Sequence, residues 1–197
     1  MRVIAGTAKG VTLFAPGGRK TRPTADRTRQ KLFDTLQSLC PLPDMAIDVF
    51  AGTGSLGIEA LSRGVGRVTF VDSSRAVRSI LLRNLEKTHL IQRAEVYITD
   101  VFLFIRRYHS QAFPLIFADP PYNLGLAQKL IDILSADNSF WADDGLLIIE
   151  ESNRVVLELP DNTECVAQKK SGDSALYFIQ KMKRGERENH SPVSGDV

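Results

Sequence analysis

Asp119, Pro120, Pro121 and Tyr122 close the run PLIFADPPY at residues 114–122, and their types bear on chemistry. An apolar run of that length reads as a strand. Pro120 and Pro121 carry no backbone N–H and lock φ, so the strand must stop near Asp119 and the peptides beyond it are stiff. On the carboxyl edge of a parallel sheet, where open α/β folds bind ligands, such an end would present a carboxylate, unpaired carbonyls and a ring. Taken alone, the run is equally a rigid turn or the shelf of a site.

A second group stands upstream. AIDVFAGTGSLGIEA, residues 46–60, sets Gly52, Gly54 and Gly57 between an apolar run and a helical pattern. Glycines there let the backbone turn tightly and approach a ligand, with helix N–H groups facing it. Asp72 ends the next apolar run 20 residues after Gly52, the position from which an acid accepts ribose hydroxyls, and Asp100 ends the third. One acid at a strand end is usually a helix cap; three in succession beside a glycine loop point to a nucleoside cofactor. Nicotinamide dehydrogenases share this loop and distal acid. Asp48 separates the two readings, because it stands inside the first strand, where an acid suits a cationic ligand amine. S-adenosylmethionine has that amine and a sulfonium.

The elements that must hold these residues follow from periodicity. RVIAG and VTLFAP read as a short hairpin, and PGGRKTRPT as a basic Gly/Pro loop. Thr24 is the expected N-cap of a helix over about 25–38, with Leu32, Phe33, Leu36 and Leu39 on its apolar face. Beyond PLPD, strands AIDVF, RVTFVD, AEVYIT and PLIFAD alternate with helices near 56–63, 75–88, 102–109 and 124–135, before strands GLLIIEE and ALYFIQKM. Strands apolar on both faces predict an α/β fold with a mostly parallel sheet covered by helices. The expected organisation is a basic extension over 1–40, a main domain over 41–183 and a disordered tail over 184–197.

Charge is distributed unevenly. The 197 residues, 43% hydrophobic and 24% charged, carry a formal +2. Residues 1–31 hold eight Lys or Arg against the single acid Asp26, which is +7 and leaves −5 for the rest. A basic arm on an acidic body is the electrostatic footprint of a polyanion binder. Arg19, Lys20, Arg22, Arg27, Arg29 and Lys31 offer phosphate contacts, although Arg29 borders the apolar stripe and can instead pair with an acid of the body. No run is long enough to span a membrane and the start lacks a signal segment, so a cytoplasmic location is the default. Cys40 and Cys165 form no CxxC pair and read as buried apolar residues; no metal site is indicated. Trp141 reads as a lid over the core, Glu59 as a fold-stabilising acid near an N–H-rich helix start, Lys169 and Lys170 as a solvated strand edge, and His89, His109 and His190 as uninvolved.

Three stretches, RPTADRTRQKLFDTL at 22–36, DVFAGTGSLGIEALSRG at 48–64 and FADPPY at 117–122, resemble the bacterial methyltransferases that modify guanine N2 in small-subunit (16S) ribosomal RNA. KKSGDSALYFIQ at 169–180 is similar to that family's closing strand. Gln30 and Thr28 depart from it, where Glu and an apolar residue are usual. The resemblance implies a Rossmann-like class I fold with a seven-stranded sheet, its last strand antiparallel, and a small N-terminal extension that binds RNA. It further implies S-adenosylmethionine as cofactor, with Gly52 and Gly54 along the methionine portion, Asp48 on its amine, Asp72 on the ribose, Asp100 on the adenine amine and Phe50 beside it. Ser55, Val101 and Asn123 are secondary candidates. The implied partner is ribosomal RNA in the small subunit or its assembly intermediate. Asp119 and the Pro120 carbonyl would hold the hydrogens of an exocyclic amine, Pro121 would stiffen the shelf and Tyr122 would stack on the base. A DNA amino-methyltransferase, a nicotinamide oxidoreductase and a non-catalytic assembly factor are the alternatives.

Overall fold

A computed structural model describes residues 1–15, 23–107, 111–136 and 139–182. Its helices are α1 (Pro23–Leu39), α2 (Ser55–Arg63), α3 (Arg75–Lys87), α4 (Val101–Arg107) and α5 (Leu126–Ala136). The strands are β1 (Met45–Val49), β2 (Arg67–Asp72), β3 (Ala94–Ile98), β4 (Phe113–Ala118), β5 (Trp141–Ser152), β6 (Thr163–Ser171) and β7 (Ser174–Lys181). They form one seven-stranded sheet in the order β3-β2-β1-β4-β5-β7-β6. The first five strands run parallel, and β7 lies antiparallel to both β5 and β6. No described helix is long and apolar enough to cross a membrane.

Alternation along the central strands divides two cores. In β4, Leu115 and Phe117 face a core shared with α1, α2 and α3, whereas Ile116 and Ala118 face one shared with α4 and α5. Both faces are therefore covered, which is why these strands read as continuous apolar runs. The parallel strands all end on one edge, where the glycine loop, Asp72 and Asp119 follow β1, β2 and β4.

The N-terminal hairpin is narrower than two strands: one bridge, Arg2 to Thr12, with Val3 N–H bonded to the Val11 carbonyl at 2.9 Å. Its stability comes from α2. Glu59, 1% exposed, accepts the Ile4 and Ala5 N–H groups at 2.7 and 2.9 Å and pairs with Arg63 at 2.8 Å. Gly6 crosses the Ser62 carbonyl so closely that a Cβ would lie 1.8 Å from its oxygen. Val3, Ala8 and Leu13 join the core of α1, α2 and α3.

Several expectations change. Thr24 does not precede α1, because the helix begins at Pro23, whose fixed φ and missing N–H suit a first helical position. Leu39, at the helix end, is 40% exposed rather than packed. Glu59 is the fold-stabilising acid expected, and the N–H groups it serves are those of the hairpin. Cys40 is half-buried and Cys165 exposed, the latter on β6, a strand the apolar pattern did not reveal. Trp141 is fully buried at the start of β5, in the core as expected. Residues 16–22, 108–110 and the tail from 183 lie outside the described residues, and with them Arg19, Lys20, Arg22, His109 and His190.

Candidate functional site

The glycine loop is held by two acids. Asp48, 1% exposed in β1, accepts the Gly57 N–H on Oδ2 at 2.9 Å from beneath the start of α2. Burial drives its carboxyl well above the ordinary range against the pull of that hydrogen bond, and the nearby Asp119 and Asp72 charges push the same way. Asp72 accepts the Gly52 N–H on Oδ2 and the Ser74 N–H on Oδ1, each at 2.8 Å. The chain turns through Phe50 and Gly52 at φ 65° and 53°. Gly54 turns at φ 81°, where a side chain is strained, and a Cβ there would also press on Leu81 Cδ1 at 2.3 Å. Phe50 turns its ring edge-on to Phe102 on α4, with centroids 6.2 Å apart.

The shelf after β4 is completed by β5. Ala118 pairs with Ile149, so Asp119 leaves the sheet beside Glu150, which continues in β5 paired with Leu176 of β7. Asp119 stays open to solvent. Surrounding protein nevertheless desolvates its carboxyl, and the charges of Glu150 and then Glu151 add to this, raising it to about 7. The Tyr122 hydroxyl donates to Glu150 Oε1 at 2.7 Å, and burial followed by that bond drives its acidity down. Glu151, 1% exposed, accepts the Ser152 N–H at 2.7 Å and the Asn123 N–H at 3.3 Å, holding Asn123 at φ 61°. Two acids on one strand end thus fix the loop that leaves its neighbour.

These two halves face one cavity. It encloses about 600 Å³ and is lined by Phe50, Asp72, Ser73 and Ser74 on one side and Asp119 through Tyr122 on the other. Residues 50, 72 and 119–122, separated in sequence, meet there. Asp48 does not line it: expected to face a ligand amine, it is sealed beneath the loop instead. Asp100 does not line it either. It caps α4, with Oδ1 accepting the Leu103 N–H at 2.8 Å. Gly52, Gly54, Ser55, Val101 and Asn123 are not among its lining residues. Ser73, Ser74, Glu150 and Glu151 were not singled out from the sequence, although the acid pair ending GLLIIEE was a visible signal.

The basic arm divides by helical phase. Thr28 Oγ1 lies 2.6 Å from Ser171 Oγ, and Lys31 Nζ donates to the Lys170 carbonyl at 2.7 Å, pinning α1 to the end of β6. Ser171 pairs with Ser174, which pairs with Ser152, so this contact lies on the same sheet edge as the cavity. Arg27 and Lys31 are exposed and line a groove with Gln30, Asp34 and Lys169. Arg29 leaves the expected RNA surface. It is 4% exposed, donates to the Arg2 carbonyl at 2.6 Å and to Asp26 at 2.9 Å, and lies 3.7 Å from Glu59.

Comparison with known proteins agrees with this geometry. A family model described as Conserved hypothetical protein 95 matches residues 1–180. Ribosomal RNA small subunit methyltransferase D of Escherichia coli (strain K12) is 33% identical over 187 residues, covering 94% of this chain and 92% of that protein. The Haemophilus influenzae protein of the same name is 33% identical over 91% of this chain and 93% of its own. The solved structure of yhhF from Escherichia coli superposes with a TM-score of 0.80 at 33% identity, over 92% of this chain and 98% of that one. A more distant structure, SMU.776 complexed with SAH, shares the fold at a TM-score of 0.61 and 15% identity, over 81% of this chain and 50% of that one.

Proposed function

Because the chain belongs to the Conserved hypothetical protein 95 family and has the class I methyltransferase fold, we propose that it moves a methyl group from S-adenosylmethionine to the exocyclic N2 of a guanine in small-subunit (16S) ribosomal RNA. Relatives named as small-subunit ribosomal RNA methyltransferases match over nearly their whole length, which supports the RNA class. One observation carries the chemistry: a single cavity joins the Phe50 and Asp72 side to the Asp119–Tyr122 shelf.

The charge of this cavity fits the cofactor. Asp48, Asp72 and Asp119 are close enough for the last two to disfavour ionisation of the first, and no ion pair among the described residues reaches any of them. Of the three, Asp72 lines the cavity on the Phe50 side, and an acid without an ion-pair partner there suits a cationic ligand. Asp72 would hold the ribose hydroxyls, since each of its oxygens has spare acceptor capacity. Phe50 would pack beside the adenosine, and Asp48 would keep the glycine loop in place. When bound, the cofactor supplies an activated methyl on sulfur.

The shelf supplies aim. A guanine N2 amine is a weak nucleophile because its lone pair is delocalised into the ring. The Asp119 carboxylate and Pro120 carbonyl would each accept one amine hydrogen, leaving the lone pair directed at the methyl carbon. The two prolines keep competing N–H donors away. Stacking on Tyr122 would offset part of the few kcal/mol needed to extrude a base, at roughly 1–3 kcal/mol.

The test is to incubate the protein with labelled S-adenosylmethionine and small subunits lacking their methyl marks, then map the product base. A single labelled guanine carrying the methyl on N2 is the expected result. Label on adenine or cytosine, or none, would refute the proposal.

A further inference from the structure

The −5 carried beyond residue 31 conceals a basic face on α3. Arg75, Arg78, Arg83 and Lys87 are exposed there with one exposed acid, Glu86. At 100° per residue Arg75, Arg83 and Lys87 fall on the arc away from the buried Leu81, Asn84 and Leu85, and Arg78, also exposed, lies at its border next to Leu85. Exposed cations on a helix are ordinarily balanced by acids one turn away. Here none of the ion pairs among the described residues includes Arg75 or Arg78. Both also stand at the amino end of the helix, which has no acid in its first turn. The helix dipole disfavours cations at that end. An anion arriving from outside would relieve both conditions.

The position of this face gives it a partner. Its amino end follows Ser73 and Ser74, which line the cavity. Its other end grips the N-terminal extension. The Arg83 guanidinium carbon and the Lys87 ammonium lie 4.2 and 4.6 Å from the Phe14 ring centroid, and that ring is 37% exposed. Asn84 accepts the Phe14 N–H at 2.7 Å and donates to its carbonyl at 3.1 Å and to the Thr53 carbonyl of the glycine loop at 2.9 Å. From Arg75 to Lys87 the helix rises about 18 Å. Cations interleaved with an exposed ring, beside a cavity for a nucleobase, match the chemistry of a nucleic-acid strand.

We propose that the solvent face of α3, with Phe14 at its far end, is a contact surface for the phosphate backbone of the substrate RNA. The proposal rests on the RNA-methyltransferase reading above and adds a surface distinct from the α1 groove of Arg27 and Lys31. Arg75 and Arg78 would hold phosphates next to the extruded base; Arg83 and Lys87 would hold those nearer the arm.

The experiment uses the full chain and unmodified 16S ribosomal RNA transcript. Binding of wild type, Arg75→Ala/Arg78→Ala and Arg27→Ala/Lys31→Ala is measured across a KCl series, and S-adenosylmethionine affinity by calorimetry. The α3 pair is expected to weaken RNA binding roughly tenfold and to reduce the slope of log affinity against log salt by about 2, with cofactor affinity unchanged. Wild-type affinity and slope in the α3 pair would overturn the surface, and so would a loss of affinity at unchanged slope. The underlying reading fails separately: a wild type that binds the transcript with the salt dependence lost in the α3 pair, yet methylates no base in small subunits, refutes the activity and leaves the surface standing.

Discussion

The Tyr122 hydroxyl donates a 2.7 Å hydrogen bond to Glu150 Oε1, linking the loop after β4 to the end of β5. Glu150 also lifts Asp119, second only to burial. One side chain therefore orients the ring of the shelf and sets the charge of its acceptor. In Glu150→Gln the amide oxygen still accepts the hydroxyl but the negative charge is gone. The Asp119 carboxyl should then ionise at lower pH. Because the ionised form is the acceptor, the lower limb of the pH dependence of kcat/KM, expected in wild type near the raised carboxyl value of about 7, should move to lower pH in this variant. Glu150→Ala should lose activity as well, because Tyr122 is no longer held. A pH profile superposing on wild type in the Gln variant would contradict this.

Asp119 trades stability for its acceptor role. Folding raises its carboxyl from the ordinary 3.8 to about 7, so the folded chain holds this proton more tightly than the unfolded one. Its contribution to stability is complete below the ordinary value and is lost as pH rises through about 7. Asp119→Asn removes that dependence. Its melting temperature relative to wild type should be higher above about pH 7 than in acid, and the difference should shrink as pH falls through the same window. Thermal scans across pH measure it directly.

Glu59 is where the N-terminal extension is fastened. It accepts two hairpin amides, pairs with Arg63 at 2.8 Å and lies 3.7 Å from Arg29, all at 1% exposure. Glu59→Ala would leave the buried Arg63 without its acid and Arg29 with Asp26 alone, and removing one member of a buried pair costs about 3–5 kcal/mol. Urea unfolding should report a loss of that size. A loss under about 1 kcal/mol would mean that the hairpin is held by its apolar contacts and its bonds to Ser62 and Asn84 without need of Glu59.

What could be read from the sequence was what the chain writes locally. Apolar runs covered on both sides, the glycines at 52, 54 and 57 and the paired prolines gave the alternating elements and located the cavity between them. Asp72 and Asp100 carried the same signal and parted in the structure: one supports the glycine loop at the cavity, the other caps α4. Spacing along the chain does not say which strand ends share a cavity. Glu150 and Glu151 gained their roles from the pairing of β4 with β5, a relationship between segments about 30 residues apart. β6 gave no apolar run because, at the sheet edge, its exposed and half-buried residues come in runs of two and three with no period of two, around an irregularity between Cys165 and Ala167. Arg29, bordering the apolar stripe, could be read as an RNA contact or as the partner of a body acid, and its phase on α1 turns it toward Glu59, the second of these.

The claim at the centre is that Asp119 aims a nitrogen without holding the cofactor. Asp119→Ala should be measured in parallel for S-adenosylmethionine affinity by calorimetry and for single-turnover methyl transfer to under-methylated small subunits. The account predicts affinity within about twofold of wild type and transfer slowed at least roughly tenfold, the scale expected of a lost positioning contact. Transfer at the wild-type rate, or a slowdown fully explained by lost cofactor binding, would contradict it.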